Sequence, residues 1–174
     1  RIAKNTNFGF IFGASERKID QTAGIPGLYK HLMQKFPGAK RFIQETKRTV
    51  EVSGQINTLG GYPIQLPLTT SPWGVISYPA HLAVNYLVQG TEGEIVKRAM
   101  YLVDEFLTRE YPDARIVMNI HDEIIIDTPA RPPKHIVRSV AALMEEAGLD
   151  SGVTTPVDVE VCVNNLSDRQ EVVI

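Results

Sequence analysis

Two adjacent carboxylates, Asp122 and Glu123, follow His121 inside a run with apolar flanks. Arg115-Ile116-Val117-Met118-Asn119 precedes them and Ile124-Ile125-Ile126 follows. β-Branched runs of this kind form strands, so the polar stretch Ile120–Glu123 reads as a hairpin turn that presents both carboxylates. Hard cations such as Mg²⁺ take oxygen ligands, usually one or two protein carboxylates, with substrate phosphates completing the shell. A stiff acidic turn therefore suits metal-assisted phosphoryl chemistry; acidic residues are also ordinary in turns that bind nothing. A second set of residues stands at the start of the chain. Lys4, Phe8 and Phe12 are spaced by four and share one face of a helix. Lysine is a point charge for phosphates, and a ring one turn further on can pack on a sugar or a base. The same stripe also suits a buried face, with both rings in the core and Lys4 a solvated neighbour. Gly9 and Gly13 weaken such a helix by about 1 kcal/mol each. They also let something bulky approach, which favours a ligand-facing helix.

These residues need a scaffold. Residues 1–50 read as helical, with breaks at Gly24-Ile25-Pro26-Gly27 and Pro37-Gly38. Residues 51–80 are rich in Gly, Pro, Thr and Ser, with short apolar pairs such as Ile64 and Leu66, and read as an irregular connection with one small hairpin. From about His81 to Arg109, Val84, Leu87, Val88, Ile95, Val96 and Ala99 recur at helical steps. Gln89 is the polar exception on that buried helix. A buried polar group needs a partner, either nearby backbone or a base edge in a minor groove. After the acidic hairpin, Pro132-Pro133 suit the first turn of a helix. Ile136, Val137, Val140, Leu143 and Met144 form its apolar stripe, and Gly148 ends it. Val157, Val159, Val161 and Val163 alternate with Asp158, Glu160 and Cys162 as a half-buried strand. Helices packed on a small, mostly antiparallel sheet make an α+β fold.

The chain has 174 residues, 43% of them hydrophobic, enough for a sizeable core without disulfides. A single cysteine, Cys162, fits a reducing, cytoplasmic setting. No apolar stretch reaches transmembrane length and no signal peptide is visible, so a membrane is not an expected partner. The chain starts at arginine rather than methionine, which suggests trimming or a split polypeptide. The formal net charge of −2 is not that of a free-standing DNA binder. The charge is uneven, however. Residues 1–48 hold 10 Lys/Arg and 3 Asp/Glu, leaving 8 and 17 of the chain's 18 and 20 for the remainder. A basic first third suits a face that meets phosphates, or an ordinary solvated helical surface.

Together the two motifs resemble family A DNA polymerases. That family's nucleotide-binding finger helix carries Arg-x-x-x-Lys-x-x-x-Phe-Gly-x-x-Tyr-Gly. Lys4, Phe8, Gly9 and Gly13 match it, and Phe12 stands where the family has tyrosine. The family's His-Asp-Glu palm hairpin matches His121-Asp122-Glu123. A third block, Asn85-Tyr86-Leu87-Val88-Gln89-Gly90-Thr91 followed by Ile95 to Met100, is also similar. The order and spacing of the three blocks fit, and the likeness covers nearly the whole chain. There are departures. The family's motif arginine would lie just before residue 1. The family's arginine four residues before Asn85 is His81 here. Gly60-Gly61-Tyr62-Pro63 stand where the family usually has Asp-Gly-Arg. No upstream motif with the other metal-binding aspartate is present.

The resemblance implies finger helices over 1–50, a connection over 51–80 and a palm over 81–174. It implies template-directed addition of deoxynucleoside triphosphates to a primer on DNA, using two Mg²⁺ ions. Asp122 would be a metal ligand, and Glu123 would support the primer end or hold a metal more loosely. Lys4 would bind the triphosphate and act in catalysis. Phe8 would pack by the sugar and Phe12 by the templating base. Asn85, Gln89 and His121 would contact DNA. The other aspartate would come from an upstream segment or a partner chain. Two other readings remain: a polymerase-derived DNA-binding or assembly subunit without chemistry, and a metal-dependent phosphohydrolase that shares only the acidic hairpin.

Overall fold

Four helices occupy the first 53 residues: α1 (Ile2–Ile11), α2 (Glu16–Ala23), α3 (Leu28–Lys35) and α4 (Pro37–Ser53). The computed structural model describes residues 1–162 and 165–172. They group into two compact units, Arg1–Thr91 and Glu92–Ile174.

In the first unit, local chemistry sets the helix ends. The Ser15 hydroxyl caps α2 by accepting the Lys18 N–H at 3.3 Å. The Asp20 carboxylate accepts the N–H groups of Gly27 at 2.7 Å and Tyr29 at 3.0 Å, satisfying donors that α3 leaves orphaned. These bonds stabilise the ionised acid and hold Asp20 below its ordinary pKa. Pro37 takes the first position of α4, where its missing N–H costs nothing. Phe10, 4% exposed, meets Tyr29 edge-on at 6.2 Å and Phe36 at 6.4 Å. This aromatic seam joins α1 to α3 and to the start of α4.

The connection holds two hairpins rather than one. Strands β1 (Gln55–Asn57) and β2 (Pro63–Gln65) pair antiparallel, as do β3 (Thr69–Thr70) and β4 (Ile76–Ser77). The second hairpin is closed by turn chemistry rather than by apolar alternation. The Ser71 hydroxyl accepts the N–H groups of Trp73 and Val75 at 3.3 and 3.1 Å, and Gly74 adopts φ 77. Val50, Ile56, Leu66, Ala80 and Ala83 form the core beneath β1–β2. A one-turn 3-10 helix, Ala80–Leu82, leads into the long helix α5 (Ala83–Glu110), whose residues 83–91 belong to this unit.

The second unit begins with residues 92–110 of α5. It continues with β5 (Arg115–Ile120), β6 (Glu123–Asp127), α6 (Lys134–Ala147), β7 (Glu160–Val161) and β8 (Gln170–Glu171). Val103, Leu107, Ala114 and Ile136 form its core, with Ile116 and Ile126 packed against them. The fold is α+β, with helices packed against small antiparallel strand pairs. Pro133 stands at the N-cap of α6, one position before the helix rather than in its first turn. The strand expected over 157–163 is shorter. Val157 and Val159 alternate in burial with Asp158 and Glu160, but ladder pairing is confined to Glu160–Val161 against Gln170–Glu171; Val163 lies outside the described residues. Among the described residues no helix is long and apolar enough to cross a membrane.

Candidate functional site

The acidic hairpin is built by strand pairing and one asparagine. Ile120 pairs with Glu123, so the turn contains only His121 and Asp122. His121 adopts φ 55, and the Asn119 side-chain amide donates to the carbonyls of His121 and Glu123 at 3.1 Å each. Both bonds close over the turn and hold its left-handed residue in place. The two carboxylates therefore do not share the turn, as the sequence suggests. Asp122 occupies it, whereas Glu123 is the first residue of β6.

Their surroundings also differ. Asp122 is exposed and has no hydrogen bond or ion pair among the described residues. Glu123 is engaged by Arg169, with Nη1 3.1 Å from Oε1 and Nη2 3.5 Å from Oε2. Nη1 of Arg169 also lies 3.1 Å from Oε2 of Glu160. The bond to Glu160 and the charge of Glu123 raise the arginine's pKa further, so it stays charged. On β5 a bulge falls between Ile116 and Met118. Val117 and Met118 are 52% and 50% exposed, an apolar surface on the strand that leads into the turn.

The finger stripe forms as its spacing predicts. Lys4 Nζ sits 5.6 Å from the centroid of the Phe8 ring, and the Phe8 and Phe12 rings stack at 6.1 Å with 20° between their planes. Phe8 is 51% exposed, whereas Thr6 and Phe10 carry the buried side of α1. Phe8 is thus not a core residue. The two glycines serve packing within the chain rather than the approach of a ligand. A Cβ on Gly9 would lie 3.0 Å from Cδ1 of Ile19, which lets α1 lie close to α2. Gly13 ends the helix at φ 75, and a Cβ there would lie 3.3 Å from Cγ2 of Val84.

On α5, Asn85 and Gln89 lie one turn apart. Asn85 is half-buried and Gln89 exposed. The expectation that Gln89 is buried and must be paired is therefore corrected: this part of the helix is amphipathic, and Gln89 lies on its wet side. His81 is exposed.

A sequence model of DNA polymerase family A matches residues 1–167. The chain belongs to DNA polymerase family A. It is 29% identical over 153 residues to DNA polymerase I of Bacillus caldotenax, covering 84% of this chain and 17% of the relative. The corresponding enzyme of Geobacillus stearothermophilus is 29% identical, with 84% and 18% covered. DNA polymerase I of Pseudomonas aeruginosa is 29% identical, with 84% and 17% covered. Among solved structures, the POL domain of Pol1 from M. smegmatis, in complex with DNA primer-template and dNTP, shares the fold. Its TM-score is 0.71 at 22% identity, covering 84% of this chain and 27% of that one. The chain spans less than a fifth of the length of these curated relatives.

Within this family A chain, the residues at the turn suit one kind of cation. Among the described residues no three His, Cys, Asp or Glu side chains cluster so as to cage a metal. Asp122 instead offers one unclaimed hard oxygen ligand, and Glu123 is shared with an arginine. That set fits Mg²⁺, which takes one or two carboxylates and completes its shell with phosphates and water. Two residues that fix the surroundings of the turn escape sequence reasoning. Asn119 resembles any polar residue beside a turn, although Asn near a hairpin end is itself a hint of turn closure. Arg169 has no local signature, because its carboxylate lies 46 residues away.

Proposed function

We propose that the chain is the C-terminal fingers and palm portion of a template-directed DNA polymerase, acting on primer-template DNA and deoxynucleoside triphosphates in the cytoplasm. In this reading residues 1–50 are finger helices, 51–80 the connection and 81–174 the palm. The observation that carries it is the orientation of α1 in a family A chain. Its cation and the Phe8 ring face solvent, Phe12 stacks on Phe8 half-buried, and the buried side of the helix is made of Thr6 and Phe10.

Each residue has a part that follows from its chemistry. Lys4 binds the triphosphate and neutralises the charge that develops as pyrophosphate leaves. Phe8 presents a flat apolar ring to the incoming sugar, and Phe12, stacked on it, meets the templating base. Asn85 and Gln89 offer hydrogen bonds to DNA from adjacent turns of one helix. His121 contacts the primer backbone from the turn. Asp122 would hold Mg²⁺, and Glu123 would support the primer end. When bound, two Mg²⁺ ions supply the Lewis acidity for phosphoryl transfer. The second metal-binding aspartate comes from an upstream segment or a partner chain.

Primer extension tests this. The 174-residue chain alone should not extend a primer. Mixed with a polypeptide supplying the upstream palm and thumb, it should. Robust templated synthesis by the pure chain would overturn the division of labour. Extension by neither preparation would overturn the polymerase reading.

A further inference from the structure

Arg169 binds carboxylates from two places at once. It stands beside β8, reaches Glu160 at the start of β7, and reaches Glu123 at the first position after the acidic turn. The two oxygens of Glu123 face different nitrogens of the guanidinium, at 3.1 and 3.5 Å. This is the forked arrangement that only arginine offers a carboxylate, and it fixes direction as well as distance. A backbone bond from Arg169 Nε to the Leu166 carbonyl at 3.1 Å anchors the guanidinium from its own side. All three charged side chains are 38–44% exposed, so the pairs contribute little to stability. The arrangement is thus elaborate for a weak structural tie, and its geometric effect falls on one residue of the turn.

We propose that Arg169 is a positioning residue for the acidic turn. It holds the Glu123 side chain in one direction, so that Asp122 alone is left free for a cation and Glu123 is kept aimed at the primer end. Glu160 steadies the arginine from the other side. The proposal deepens the polymerase reading and rests on it. It assigns a task to the β7–β8 strand pair, which carries Glu160 and stands beside Arg169.

The test uses the intact polymerase that contains this chain, with steady-state primer extension, DNA binding by fluorescence anisotropy and thermal unfolding measured in parallel. Arg169→Ala should lower kcat about 10- to 100-fold, as loss of a residue that orients a ligand does. KM for nucleotide, the Kd for DNA and Tm should stay near wild type. Arg169→Lys, which keeps the charge but not the fork, should recover only part of the rate. Glu160→Gln, which removes the second anchor, should cause a smaller loss in the same direction. On a Glu123→Gln background, Arg169→Ala should lower kcat by less than about threefold, because residues acting through one another are not additive. A wild-type kcat for Arg169→Ala overturns the proposal, as do losses that multiply in the double variant. Asp122→Ala separates the two levels. If it abolishes extension while Arg169→Ala leaves kcat at the wild-type value, the polymerase reading stands and the arginine's role falls. If Asp122→Ala extends primers normally, both fall.

Discussion

The finger stripe and the acidic turn reach function by different routes. Lys4, Phe8 and Phe12 are set by helix spacing: the backbone repeat places them in a row along α1 and its C-cap, Lys4 over Phe8 and Phe8 against Phe12. Asp122 and Glu123 are neighbours in sequence, yet a two-residue turn separates them into different environments, one free and one tied to a distant arginine. A helix sorts side chains by periodicity, whereas a tight hairpin sorts them by which residue falls in the turn and which begins the strand. The stripe should therefore tolerate losses one residue at a time, while the turn should fail abruptly.

The sharpest way to break this contrast is Asp122→Ala in the assembled enzyme. Turnover should fall by several orders of magnitude with DNA binding nearly intact, because the lost group acts on the transition state. Glu123→Ala should cost less. Pre-steady-state incorporation together with anisotropy would show it, and near-normal turnover would mean that the turn is not the metal seat. Next comes Lys4→Ala, which should raise the apparent KM for nucleotide and lower kcat with almost no change in Tm, since an exposed lysine contributes little to stability. A large drop in Tm would make the stripe a structural element after all.

Phe8→Tyr probes a smaller effect. Its ring is half exposed, so an added hydroxyl meets water rather than core. Tm should hold, while the incorporation ratio of deoxy- to dideoxynucleotide should change. An unchanged ratio would remove the sugar from Phe8. The smallest effect concerns the scaffold behind the stripe. Asp20 has a lowered folded pKa, so its contribution to stability is present above its ordinary value of 3.8 and is lost as pH falls through the lower folded value. Asp20→Asn should lower Tm at pH 7, and the difference from wild type should shrink as the pH is taken down through that range. A difference independent of pH would mean that the carboxylate's charge is irrelevant to the cap.

What the sequence discloses follows the same contrast. The breaks after α2 and before α4 are legible because Gly24 and Pro37 have local conformational reasons to be there, whereas the break between α1 and α2, with Gly13 at positive φ and Ser15 as cap, is not read from the sequence. The long helix α5 and the acidic hairpin are legible from periodicity and β-branching. The second small hairpin is missed because Ser71 and Gly74 build it without apolar alternation. Gln89 is misjudged because a 28-residue helix with apolar residues on several sides reads as buried throughout. Gly9 and Gly13 are taken as openings for a ligand, because sequence cannot distinguish a glycine that clears space for another molecule from one that clears it for Ile19 or Val84. Arg169 is invisible for a plainer reason: its pairing depends on a fold that brings residues 123, 160 and 169 together.

The contact behind Gly9 ties the choice of residue at position 9 to that at position 19. The atom that a new Cβ would meet at 3.0 Å is Cδ1 of Ile19, the one heavy atom that Ile19→Val deletes. Positions 9 and 19 are therefore expected to vary as a pair, an alanine at one admitted by a valine at the other. Such an exchange would strengthen α1 by removing a mid-helix glycine while keeping its distance from α2. The pair at the back of the helix can thus be exchanged without altering Lys4, Phe8 or Phe12.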